Sequence, residues 1–70
     1  MLKLSSKIRL DSLDGAEGTR VYEKFIGKDA IVLRKEDYDN SSYIVDVNGD
    51  ELLINLDYDE VFDYESQQFI

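Results

Sequence analysis

A mostly β fold is predicted by three features of this 70-residue sequence. The opening segment places Leu2, Leu4, Ile8 and Leu10 at even positions and Lys3, Ser5, Lys7 and Arg9 at odd ones. Such period-two alternation puts the two sets on opposite faces of a strand. Ala30-Ile31-Val32-Leu33 is a short apolar run bounded by polar turn residues, the pattern of a central strand. Asn48-Gly49 then separates two alternating segments, which is the strongest short-range hairpin signal.

The elements follow in chain order. After the first strand, Asp11 to Gly18 is rich in Asp, Ser and Gly and reads as a loop. Val21-Tyr22-Glu23-Lys24-Phe25-Ile26 supports two readings. Its apolar spacing fits a helix over about 15–26 ending at Gly27, with Asp14-Gly-Ala-Glu17 as a capping box. Gly15 and Gly18 weaken that helix, and Val, Tyr, Phe and Ile favour a strand, which is the reading adopted. The helix remains the α+β alternative, packed against an antiparallel sheet. Glu36 to Ser42 lacks large aliphatic residues and reads as a solvated turn.

The hairpin fixes a register. A two-residue turn sets Val47 opposite Asp50, Asp46 opposite Glu51, Val45 opposite Leu52, Ile44 opposite Leu53 and Tyr43 opposite Ile54. Tyr43, Val45, Leu52 and Ile54 then form a core face. Asp46 and Glu51, directly opposed, repel one another, so they are either solvated or compensated by a cationic partner.

The segments Gly18–Phe25, Gly27–Leu33, Tyr43–Val47 and Leu52–Ile54, followed by Asp57–Glu60 and Val61-Phe62, resemble a small five-stranded barrel of the Src-homology-3-like and KOW-like type. The resemblance covers roughly residues 18–64 and implies a single helical turn before the last strand. Barrels of this kind bind nucleic acid, peptides or proteins. The N-terminal strand falls outside the pattern and is expected to cover an open edge or to pair with a second subunit.

Size and composition narrow the function. Residues 1–70 make one small domain, whose core buries roughly 60% of the unfolded surface. Cysteine and histidine are both absent, which removes disulfides, thiol nucleophiles and the usual general base. Oligomerisation is the remaining reinforcement, so a homodimer is expected, with Ile44, Leu53, Phe69 and Ile70 as contacts. No run approaches the roughly 20 apolar residues of a membrane span, and the opening residues are too polar for a signal peptide. A cytoplasmic location is expected, with no cofactor and no metal. Asp46, Asn48 and Asp50 fit the start of a calcium loop, but Glu51 stands where that loop needs glycine. The neighbouring carboxylates Asp57, Asp59 and Glu60 would need a sugar-sized cleft to act as a hydrolase, so an enzyme is not expected.

Charge is divided along the chain. All eight bases lie within residues 1–35 beside five acids, a net of +3; residues 36–70 hold eleven acids and no base. The total is −8. A chain of this charge is repelled by nucleic acid at long range, which argues against DNA binding by Lys3, Lys7, Arg9, Arg20, Tyr22, Lys24 and Phe25. The expected binding residues are instead Asp37, Asp39, Asp46, Asp50, Glu51, Asp57, Asp59, Glu60, Asp63 and Glu65, with Tyr38 and Tyr58 interleaved as interface aromatics. Same-face carboxylates on a strand recur about every 6.7 Å, a charge density in the range of duplex DNA. In size and acidity the chain is similar to the small phage-encoded DNA mimics used in host takeover, in particular inhibitors of the bacterial nucleoid protein HU. That resemblance implies a basic, nucleoid-associated partner and no direct contact with nucleic acid. A barrel-type adaptor for a basic peptide is the alternative.

Overall fold

The computed structural model describes residues 2–13, 20–37 and 39–70. They form one antiparallel sheet of six strands, β1 (Lys7–Leu13), β2 (Asp29–Lys35), β3 (Ser42–Val47), β4 (Asp50–Asn55), β5 (Asp59–Asp63) and β6 (Gln68–Phe69). The order across the sheet is β4-β3-β2-β1-β5-β6. Strands β4 and β5 stand four places apart, yet only Leu56, Asp57 and Tyr58 join them. Four flat spacings would measure about 19 Å. The linker from Asn55 to Asp59 reaches at most about 14 Å. The sheet therefore curls, in keeping with extents of 28 × 26 × 22 Å.

The N-terminal segment holds this curl together. It was expected to lie outside the barrel pattern, but β1 is an interior strand, paired with β2 through Lys7–Arg9 and with β5 through Ile8–Leu13. Its strand begins later than the alternation implies, because Ser5 adopts φ 67° and turns the chain at Leu4-Ser5. It also ends later. Asp11, expected to open a loop, is an extra residue bulged between Leu10 and Ser12, and pairing continues to Leu13. The bulge restores Leu13 to the inner face, where it is buried with Ile8, Leu10 and Val61.

Residues Arg20–Phe25 form a 3₁₀ helix, not the expected strand. Gly27 closes it at φ +84°, a conformation that an L side chain rarely adopts, and its N–H donates to the Leu10 carbonyl at 2.6 Å. The helical alternative was thus right about the stop and wrong about the helix type. Its capping box, Asp14 to Glu17, lies outside the described residues, as do Gly15 and Gly18. Strand β2 is interior, as its apolar run implies, but only Ala30 and Val32 point inward. Ile31 and Leu33 are exposed, with a bulge between Val32 and Arg34.

The hairpin has the expected register at all five pairs. Asn48 at φ 54° and Gly49 at φ 97° make the tight turn that an Asn-Gly pair favours. Tyr43, Val45, Leu52 and Ile54 are all buried. Before the last expected strand, Leu56, Asp57 and Tyr58 form a plain turn in place of a helical turn, with the Tyr58 N–H donating to the Asn55 carbonyl at 3.1 Å. Strand β6 was not expected. It is a two-residue return onto Phe62 and Asp63.

Replacing Ile8, which has no exposed surface, by Ala should cost about 2–5 kcal/mol. Replacing the half-exposed Leu53 should cost less than about 1 kcal/mol. Urea unfolding measures both, with the dependence on denaturant unchanged.

Candidate protein-binding surface

The bases pair partly within the first half of the chain and partly across to the acids of the second. Arg9 forms a bidentate pair with Asp11, Nε to Oδ1 at 2.6 Å and Nη2 to Oδ2 at 3.0 Å, and stacks over the Phe62 ring at 4.8 Å. Period-two geometry explains the pair: Arg9 and Asp11 stand two positions apart on β1 and share its outer face. Lys7 lies 3.5 Å from Asp29 and over the Tyr64 ring, and the Tyr64 hydroxyl donates to Asp29 at 2.6 Å. Lys3 pairs with Glu65 at 2.9 Å. Arg34 reaches both Glu36 and Glu51, at 3.8 and 3.3 Å. Lys35 donates to the carbonyls of Glu36 and Asp39, and Lys24 lies over Phe25. Six of the bases of the first half thus meet an acid, a ring or a carbonyl at the surface of the fold, while Lys28 is exposed with no such partner among the described residues.

This answers the question posed by the opposed pair Asp46 and Glu51. Arg34 compensates Glu51, and the Asp46 carboxylate accepts the Gly49 N–H at 3.4 Å. Arg34 was missing from the expected site because its position opposite Ile44 depends on the β2 bulge. Nothing in the local sequence fixes that bulge.

The expected acidic residues fall into three sets. Asp59 and Asp63 are buried, at 5% and 8% exposure, and leave the candidate surface. They flank Val61 at period two on the inner face of β5, opposite Leu13 and Ile8. Burial of a carboxylate needs hydrogen-bond partners. Asp59 accepts the Asn55 N–H at 2.8 Å, which ties the β4–β5 corner. Asp63 accepts the Glu65 N–H and the Ser66 hydroxyl, both at 3.1 Å, which shapes the turn into β6. The alternation Asp59-x-Val61-x-Asp63 was the signal for this inward placement.

Asp39 is also structural. It accepts the N–H groups of Ser41 and Ser42 and the Ser42 hydroxyl, at 2.8, 2.7 and 2.9 Å. The buried Ser42 in turn receives the Asn55 amide at 3.3 Å, so the β2–β3 and β4–β5 turns share one network. The Ser41 N–H, followed by the Ser42 hydroxyl, holds the Asp39 carboxyl below the usual aspartate range. Asp11 is lowered in the same direction, chiefly by the hydrogen bond from Arg9. Asp29 is lowered chiefly by the Tyr64 hydroxyl, and that phenol is raised in return.

The third set faces outward. Asp37, Asp50, Asp57 and Glu60 are exposed and carry no ion pair among the described residues, and Asp46 is half-exposed. Asp50 stands beside the hairpin tip, Asp57 and the exposed Tyr58 on the β4–β5 turn. Tyr38 lies outside the described residues. The set is gathered at turns and on the outer face, without the regular ladder that strand spacing alone would imply. Asp29, Ala30, Ile31, Asp46 and Asn48 line a shallow groove of about 220 Å³ on this side.

Two apolar patches accompany the acids. Ile31, Leu33, Ile44 and Leu53 lie on β2–β4, and Phe62, Tyr64, Phe69 and Ile70 on or beside β5–β6. Phe62 packs edge-on against both Tyr64 and Phe69. The four residues expected to form one dimer contact are thus divided between the patches. Among the described residues, no three His, Cys, Asp or Glu side chains gather as a metal site, and no helix is long and apolar enough to cross a membrane.

The lowered Asp39 stabilises the fold at pH values above the unfolded aspartate value of about 4, and this contribution is lost as pH falls through its lower folded value. Asp39→Ala should therefore be less stable than the parent at pH 7, with the difference shrinking towards pH 3. Asp57→Asn should match the parent at both. Urea midpoints at the two pH values measure the effect.

A scan of known protein families found no model that matches this chain, and comparisons with curated proteins and with solved structures found no match.

Proposed function

We propose that this chain is a non-catalytic DNA mimic, which occupies the nucleic-acid site of a basic DNA-binding protein and blocks its access to DNA. The observation that carries the reading is the internal engagement of the cations. Lys3, Lys7, Arg9 and Arg34 are held in ion pairs, and Lys24 and Lys35 are held by a ring and by carbonyls. Asp37, Asp50, Asp57 and Glu60 are left exposed with no ion pair among the described residues. Asp37, Asp46, Asp50, Asp57 and Glu60 act as phosphate surrogates, and Tyr58 packs at the rim. Asp59, Asp63 and Asp39 hold the turns that present them. In this reading the partner is a nucleoid-associated protein of a bacterial host and the chain a phage product acting in the cytoplasm. Two copies joined through Phe69 and Ile70, with Phe69 61% exposed, would double the acidic surface.

The adaptor reading gains from the exposed aliphatic patch on β2–β4, which serves a peptide better than it serves phosphate mimicry. Competition separates the two. A basic nucleoid protein immobilised on resin should retain the chain at low salt and release it when duplex DNA is added. Retention that duplex DNA leaves unchanged would contradict mimicry and favour the adaptor. Asp50→Asn combined with Asp57→Asn and Glu60→Gln should weaken retention about tenfold or more, or roughly 1.4 kcal/mol. Thermal unfolding should stay that of the parent.

A further inference from the structure

We infer that the free edge of β4 receives an extended basic segment of the partner by strand addition. This rests on the proposed reading that the partner is cationic, and adds how it is held.

Asn48 and Gly49 both have positive φ, the turn geometry in which the flanking residues Val47 and Asp50 exchange hydrogen bonds. In an antiparallel ladder, bonded and non-bonded pairs alternate. Asp46 with Glu51, Ile44 with Leu53, and Ser42 with Asn55 are then the non-bonded pairs. Strand β4 consequently turns the N–H and C=O groups of Glu51, Leu53 and Asn55 away from β3. Asn55 verifies the phase, since its N–H meets the Asp59 carboxylate at 2.8 Å. Glu51 and Leu53 have no such corner to bond, and their backbone groups have no backbone partner beyond the sheet among the described residues. They are two residues apart on an edge strand, a template for another strand.

The side chains state what kind of strand fits. Glu51 and Leu53 share the outer face, where both are exposed. An added strand places one residue opposite Glu51 and another, two positions along, opposite Leu53. Opposite charges and apolar pairs are the favourable cross-strand combinations. The fitting segment therefore carries Lys or Arg opposite Glu51, sharing a carboxylate whose Oε1 Arg34 meets at 3.3 Å, and an aliphatic residue opposite Leu53. Its aliphatic side chain extends the patch of Ile44, Ile31 and Leu33. Asp46 and Asp50 add to its attraction. A second copy of the chain fits less well, because it would bring another −8 and a second Asp50-Glu51 to the same seam.

The probe is a blocked peptide, Thr-Lys-Thr-Val-Thr-Lys-Thr, with a control of the same charge that is N-methylated at alternate backbone amides. Amide hydrogen exchange of the labelled chain is read by NMR. The expected result is slowed exchange at Glu51 and Leu53 with the peptide, and binding weakened about tenfold or more by the control. Glu51→Pro removes an outward N–H that the β3 ladder does not use, and should weaken binding comparably. Glu51→Lys tests the charge should the proline variant fail to fold. Binding that leaves both amides unchanged, or equal binding of the control, would overturn strand addition while leaving a basic partner intact. Slowed exchange without peptide that grows with chain concentration would assign the edge to a second copy and also overturn it. Failure of the peptide to bind overturns it too, and competition by duplex DNA still tests the mimic separately.

Discussion

The position of β1 is the constraint on which the other features depend. A 70-residue chain with no cysteine has no disulfide to hold it, so its sheet must close on its own core. Strand β1 does this by pairing with β2 on one side and β5 on the other. Ile8 and Leu10 then meet Val61, Ala30 and Val32 in the centre of the fold. The same pairing forces Lys7 and Arg9 onto the middle of the outer face. They lie there among Asp29, Asp11, Phe62 and Tyr64. Packing and electrostatics thus follow from one topological choice.

That choice dissolves the separation of charge seen along the chain. Lys3 reaches Glu65 across almost the whole sequence, and Arg34 reaches Glu51 across the hairpin. Each exposed pair contributes little to stability, because water screens it and two side chains must be ordered. Their effect is on the field. They offset cations that stay at the surface and leave the turns, bearing Asp37, Asp50 and Asp57, as sources of unopposed negative charge. Asp39, Asp59 and Asp63, which accept backbone N–H groups, shape these turns.

The legible parts of the structure were those fixed by local geometry. The register of β3 and β4 followed from Asn48-Gly49, because that turn permits only one alignment of the buried faces. The mostly β class followed from alternation. Bulges were not legible: Asp11 and Leu33 are extra residues whose placement depends on partner strands far along the chain. The segment 20–25 was misread because its β-favouring residues serve a short 3₁₀ connection closed by Gly27. As for the surface, acidity was legible and role was not. Asp57, Asp59, Glu60 and Asp63 look alike in composition, and only the phase of β5 around Val61 separates the buried pair from the exposed one.

The chain is thus an acidic sheet on which Lys3, Lys7, Arg9 and Arg34 are matched by its own acids. NMR mapping of the labelled chain with a short oligo-arginine and, separately, with a duplex DNA tests this claim most directly. Oligo-arginine should shift resonances around Asp37, Asp50, Asp57 and Glu60 and leave Asp59 and Asp63 undisturbed, and the duplex should shift none. Shifts produced by the duplex at Lys7, Arg9 or Arg34 would contradict it, since those paired cations would then be open to phosphate.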